Sequence, residues 1–384
     1  MPTVPGRQPW IDYLRAAIIV LVVNMHACVT YSHVGSWYIN EGPEPPLAEK
    51  IPFIFWQGHL QAFFMGLLFF LAGVFAQRSL QRRGPAAFVR ERAFRLGLPS
   101  LLYMLVIHPF MVYVQLGHPR IPNRPSLGVL YKDYLLSGRV LSGNGPLWFA
   151  LALLAFSVAF AGWRSLRPAS RVEEGQTVRA PSTAALLLFG CILVSTTFAM
   201  RLVQPLGTNV LNFQLCFFPQ YVAAFIAGVA AGRYGWLEEL ATSQRAKVAG
   251  WLGLLGGPIL LLGVLAIGGP PAESGPNVYQ GGWHGQAFGL ALWEQLAGLA
   301  LGLGMLALFR KAVCRESRPF QWMSDRAFAV YVLHPPVLVA LTVLMRGLAH
   351  SLIANVVLLT LTGLAASYVV ADVARRIPGL RAIL

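Results

Sequence analysis

Apolar stretches about as long as the ~20 residues a helix needs to cross a bilayer recur from end to end of this chain. They lie near residues 10–32, 52–77, 97–116, 146–163, 183–203, 213–232, 248–268, 284–309, 327–346 and 351–371. In hydrocarbon every backbone polar group must be satisfied within the segment, so each stretch is predicted to be a helix. Composition agrees: 56% hydrophobic and 12% charged residues, with a mean hydropathy of +0.59, leave too little polar surface to cover a soluble globule of 384 residues. The expected fold class is an all-α polytopic membrane protein, with about ten transmembrane helices in one bundle.

A net charge of +15 often signals nucleic acid, so the positions of the basic residues must decide. With the N-terminus inside, only Lys50, Arg120, Arg124, Lys132, Arg139, Arg201 and Arg346 of the 30 Lys and Arg fall outside or near the outer ends. That is the asymmetry of the positive-inside rule. The charge is therefore topological, no nucleic-acid partner is expected, and both termini are expected to be cytoplasmic. Asp12 and Arg15 interrupt what would be the core of a signal peptide, and no small-x-small cleavage site follows, so the first helix is expected to be retained. Cys28, Cys191 and Cys216 fall in predicted spans and Cys314 in an inner connection, which gives neither a disulfide framework nor a CxxC metal pair. The connections are short, so residues 1–384 read as one domain without an appended soluble part. No internal repeat is visible, unlike many secondary transporters.

Ionisable groups inside spans are expensive and carry a functional hypothesis by default. Arg15 and His26 lie eleven residues apart in the first span, three turns plus about 20°, and therefore share one helix face roughly 16 Å apart along the axis. Asp12, one turn before Arg15, joins that stripe. The structural alternative is an arginine snorkelling to the headgroups and a hydrogen-bonded core histidine. His59, near the outer end of the second span, is at a similar depth to His26 and is expected to share a cavity with it or to sit in the aromatic belt. Glu294, placed near the middle of the eighth span, needs a proton or a cation, with Arg15, Arg201 or a histidine as partner. It is a candidate for catalysis or orientation, or for a structural hydrogen bond. His334 precedes Pro335 and Pro336 in the ninth span, where missing backbone donors open a cavity wall or a kink. The run from Arg78 to Pro99 carries Arg78, Arg82, Arg83, Arg90, Arg92 and Arg95, a candidate phosphate cradle. Topology alone accounts for Arg78, Arg82 and Arg83; for Arg92 and Arg95 both readings stay open.

Arg15-x10-His26, Arg92-x-x-Arg95-x-x-x-Pro99, Gly145-Pro-Leu-Trp148-Phe149 and Tyr331-x-x-His334-x-Pro336 together resemble, in order and over nearly the whole chain, the membrane-bound acyltransferase 3 family. Within it the late Tyr-x-x-His-x-Pro segment and the ending Arg376-Ile-Pro-Gly-Leu most resemble the glucans biosynthesis protein C group, which adds succinyl groups to periplasmic glucans. The second span departs from the family, with Phe69-Phe70-Leu-Ala72-Gly73 where a Ser-Gly pair is usual. The resemblance implies an inner-membrane enzyme moving an acetyl or succinyl group from cytoplasmic acyl-CoA to a hydroxyl of an extracytoplasmic or lipid-linked glycan. Acyl-CoA would be a donor substrate, and no tightly bound cofactor or metal is expected.

On that reading His26, with an imidazole matched to neutral pH, is the general base. Arg15 and Glu294 join it as catalytic candidates, and Asp12, Arg92, Arg95, His59, Trp148 and His334 as substrate-binding ones. No Gly-x-Ser-x-Gly elbow supports a serine nucleophile. The competing reading is a proton-coupled transporter or exporter of a glycan or lipid, with His26, Glu294 and His334 as its proton relay.

Overall fold

The computed structural model describes residues 8–117, 123–167, 179–269, 277–313, 315–348 and 351–384; Arg120 and Cys314 lie outside them. Among the described residues ten helices are long and apolar enough to cross a membrane: α1 (Pro9–Ser32), α2 (Leu47–Arg83), α3 (Pro85–Leu116), α4 (Gly145–Leu166), α5 (Thr183–Val203), α6 (Leu215–Tyr234), α7 (Gln244–Gly268), α8 (Gly285–Ala312), α9 (Arg318–Leu344) and α10 (Leu352–Ala374). Among the described residues the only strand-like pairing is the isolated bridge between Val210 and Phe213. The chain is an all-α polytopic membrane protein, as its hydropathy predicts.

Local chemistry sets where these helices begin and bend. Pro9 opens α1, where its missing N–H costs nothing, and Asp12 in the first turn complements the helix dipole. α1 ends where His33 takes a left-handed conformation, φ 58°. In α3 the backbone widens to π geometry at Ala93–Gly97 and Tyr103–Ile107, and in α7 at Leu252–Gly256. Each wide turn is followed within two residues by a proline, Pro99, Pro109 or Pro258, whose ring would clash with the carbonyl of a regular preceding turn. The first of these wide turns carries Arg95.

α2 is the central element. Its most apolar stretch is 78% buried, against 17% for the peripheral α7. At 37 residues, about 55 Å, it overruns the bilayer and ends in Arg82 and Arg83. It packs along its length against α6 and also against α8, α1 and α4. The α2–α6 crossing is close because both faces are glycine: a Cβ on Gly228 would strike the Phe70 carbonyl, and one on Gly73 the Phe225 carbonyl. Small residues of this kind let membrane helices bring their backbones together.

The starts of α1 and α9 and the end of α10 meet at one end of the bundle. There the Tyr13 hydroxyl accepts from the Ser317 amide at 3.0 Å, and Arg326 Nε donates to Asp372 at 2.7 Å. This is the arginine-rich end. At the opposite end the 33–46 connection folds back over the bundle. The Glu41 amide donates to the Thr30 carbonyl at 2.7 Å, and Arg346 Nε holds the Glu41 carboxylate at 3.0 Å. A short helix, Leu127–Leu136, also lies at that end, tied to α3 by the Tyr134 hydroxyl donating to the Met104 carbonyl at 2.8 Å.

Candidate active site

A cavity of about 840 Å³ opens at the arginine-rich end between α1, α2, α3, α4 and α9. Six arginines line it, Arg15, Arg78, Arg82, Arg83, Arg92 and Arg95, against one carboxylate, Glu91. Its deeper wall is apolar and aromatic, with Ile19, Leu68, Phe75, Phe149, Phe328 and Tyr331. Glu91 is shared, as an ion pair with Arg83 and at 3.9 Å from Arg95. Arg15 extends over the Phe75 ring at 5.5 Å, with Asp12 at 3.9 Å and nearly half of its side chain open to the cavity. Arg92 rests over Phe88 at 5.3 Å. Such an excess of guanidinium groups above an apolar throat suits a ligand with phosphates at one end and a thinner neutral arm.

The expected partners Arg15, Arg92 and Arg95 are thus brought together. So are Arg78, Arg82 and Arg83, for which topology had been sufficient explanation. Inner connections attract arginine whether or not they bind anything, so sequence alone holds no signal that separates the two cases. Ala72, where the resemblance implies a serine, also lines the cavity, so a methyl group stands on this wall.

Beyond the cavity lie two imidazoles. Tyr331, on the deep wall, is 6.3 Å from His334 between ring centroids, and His334 is 5.2 Å from His26. Trp37 stacks directly on His26, with centroids 3.7 Å apart and planes 19° apart. The next residue, Tyr38, hydrogen-bonds His108 Nδ1 at 2.7 Å and the Tyr103 hydroxyl at 3.0 Å. Burial raises the Tyr38 phenol above its ordinary pKa, so it stays protonated. Trp37 and Tyr38 are the residues that sequence reasoning missed. The Pro-rich 33–51 connection has no periodicity to reveal that it turns inward; the local signs of the reversal are its glycines Gly35, at φ 107°, and Gly42, at φ 83°.

Two motif segments far apart in the chain are bonded to each other. The Tyr331 hydroxyl donates to the Pro146 carbonyl, and Asn212 Nδ2 donates to the Gly145 carbonyl at 3.0 Å and to Asn144 Oδ1 at 2.6 Å. The Gly145–Phe149 turn is therefore fixed against α9. Phe149 faces the cavity, whereas Trp148 stacks on Tyr221 at 5.6 Å in an aromatic cluster with Phe69.

Other expected positions fall elsewhere. His59 does not share a cavity with His26: its Nδ1 bonds the Phe55 carbonyl at 2.7 Å and its ring meets Trp293 at 5.1 Å, against Gly257 of α7. Equal depth on two helices does not make two side chains face each other, and His59 lies on the α7–α8 side of α2. Glu294 has Arg201 as its partner, with Nη2 to Oε2 at 2.6 Å, and its other oxygen accepts from Gln295 at 2.8 Å. It is the tenth of the 28 residues of α8, at the level where the last turn of α5 brings Arg201.

The fold and these groups define a polytopic membrane protein with an arginine-lined entrance leading toward two imidazoles. The family model of the acyltransferase domain, acyltransferase 3, matches residues 8–372, and the chain belongs to that family. It is a membrane acyltransferase. No curated protein and no solved structure matches the chain.

Proposed function

We propose that the arginine-rich end faces the cytoplasm and that the cavity binds acyl-CoA, with Arg15, Arg92 and Arg95 on its phosphates and the thioester arm pointing past Phe149 and Tyr331. The observation that carries this reading is the continuity of arginines, apolar throat and imidazoles along one line of the bundle. His26 takes the proton of an acceptor hydroxyl that arrives from the opposite end, and the hydroxyl oxygen attacks the thioester carbonyl. The acceptor is an extracytoplasmic or lipid-linked glycan, and the acyl group is acetyl or succinyl; membership of the glucans biosynthesis protein C group would make it a succinyl transfer to glucan in the inner membrane. Glu294 serves as the counter-charge of Arg201, and His59 as a packing residue.

Membership of an acyltransferase family supports reading the histidines as catalytic rather than as a proton relay for transport. Mass spectrometry of extracytoplasmic glycans from cells with and without this chain tests the proposal. A mass difference of one acetyl or succinyl group per modified sugar is expected. Identical glycan profiles would overturn the glycan assignment.

A further inference from the structure

We propose that His334 is a positioning residue that fixes the tautomer of His26, an inference that rests on His26 being the base. His334 is fully buried in α9. Its Nδ1 is 2.8 Å from the Tyr331 carbonyl and 3.3 Å from the Val330 carbonyl. Both are acceptors, so Nδ1 carries the proton. Nε2 of the neutral ring is then a bare acceptor, and it is buried without a partner. His26 shows the complementary lack, since its Nδ1 is likewise buried and unpartnered. Each such orphan is costly away from water, and one N–H···N bond between them satisfies both.

The geometry of three rings supports that bond. At 3.7 Å and 19° Trp37 lies face-on to His26, along the normal of the imidazole plane. His334 is 5.2 Å from His26 and 6.1 Å from Trp37, which puts it almost at a right angle to that normal. With their planes 19° apart, the two imidazoles lie side by side, edge toward edge, rather than one over the other. Their facing edges are then about 3 Å apart, within hydrogen-bonding reach after a small ring rotation.

The consequence concerns which atom of His26 is the base. A proton held on Nδ1 by His334 leaves the lone pair on Nε2. During transfer the acceptor O–H breaks as His26 Nε2–H forms, the new C–O bond replaces the C–S bond, and that proton is returned to the departing thiolate. While His26 is cationic, its Nδ1–H stays donated to His334 Nε2, and the Tyr331 and Val330 carbonyls on His334 Nδ1 polarise that bond. His334 thus plays the part a carboxylate plays in hydrolytic triads, without placing a fixed charge in the membrane.

Magic-angle-spinning NMR of the full chain, 15N-labelled at histidine and held in lipid nanodiscs without substrate, reads the tautomer directly. His26 signals are assigned by their loss in His26→Gln. The expected wild-type result is one His26 tautomer protonated at Nδ1. That form is kept in His334→Gln, whose amide oxygen accepts, and lost in His334→Phe. A His26 protonated at Nε2 in the wild type would overturn the proposal, and so would an unchanged tautomer in His334→Phe. The wild-type spectrum decides even if a variant does not fold. Undiminished cleavage of acetyl-CoA and succinyl-CoA by His26→Gln would instead remove the base role and leave the pairing intact.

Discussion

Arg201 is wholly enclosed near the end of α5, and Glu294 on α8 is its counter-charge. Breaking such a pair leaves an uncompensated buried charge and costs about 3–5 kcal/mol, whereas replacing both members by apolar groups of similar volume is often tolerated. Glu294→Leu should therefore lower the melting temperature of the detergent-solubilised protein strongly, and adding Arg201→Met should restore most of the loss. A Glu294→Leu protein that melts like the wild type would mean that the pair does not hold these helices. The second residue-scale prediction concerns the cavity. Arg92→Ala with Arg95→Ala should weaken acyl-CoA binding, measured by calorimetry, by an amount that shrinks as salt is raised, because the exposed Arg95 and the partly buried Arg92 at the cavity mouth attract phosphate through a charge that salt screens. Affinity that does not change would return both arginines to a topological role. At this scale the sequence was legible in identity more than in pairing. Arg15, His26 and His334 stand out because polar groups in apolar spans are rare, but that His26 meets His334 and Trp37 while His59 meets Trp293 depends on how helices rotate against one another.

The helices themselves were readable because hydropathy and length are local properties. Each of the ten windows falls on one of the ten spans, and the main differences are α3 and α9, which start 12 and nine residues ahead of their windows, and α2, which starts ahead of Pro52 and continues past residue 77. Its polar ends leave the bilayer, so a hydropathy window could not include them. The wide turns of α3 were not legible either, although Pro99 and Pro109 mark the places where a regular turn must give way. The closeness of α2 and α6 rests on their glycines, and this gives an element-scale prediction. Gly228→Leu should separate the two helices and destabilise the protein by about 1–3 kcal/mol or more, as overpacking does, with a matching fall in thermal stability in detergent. The exposed glycine Gly162, around which there is open space, is the control and should tolerate leucine. Equal stability of the two variants would show that the crossing is not packed as described.

On the scale of the whole molecule the bundle joins two ends with different chemistry. One holds six arginines around a cavity, and the other folds Trp37 and Tyr38 inward above His26. The account's central claim is that an acyl group carried by CoA enters at the first and leaves on a hydroxyl made nucleophilic by His26. The most direct test follows transfer of a radiolabelled acyl group from acetyl-CoA or succinyl-CoA to membrane glycan, using purified protein in nanodiscs, with wild type and a folded His26→Ala variant side by side. The account predicts labelled glycan with the wild type and a loss of roughly 10²-fold or more in His26→Ala, as removal of a general base entails. Equal labelling by the two proteins would contradict it.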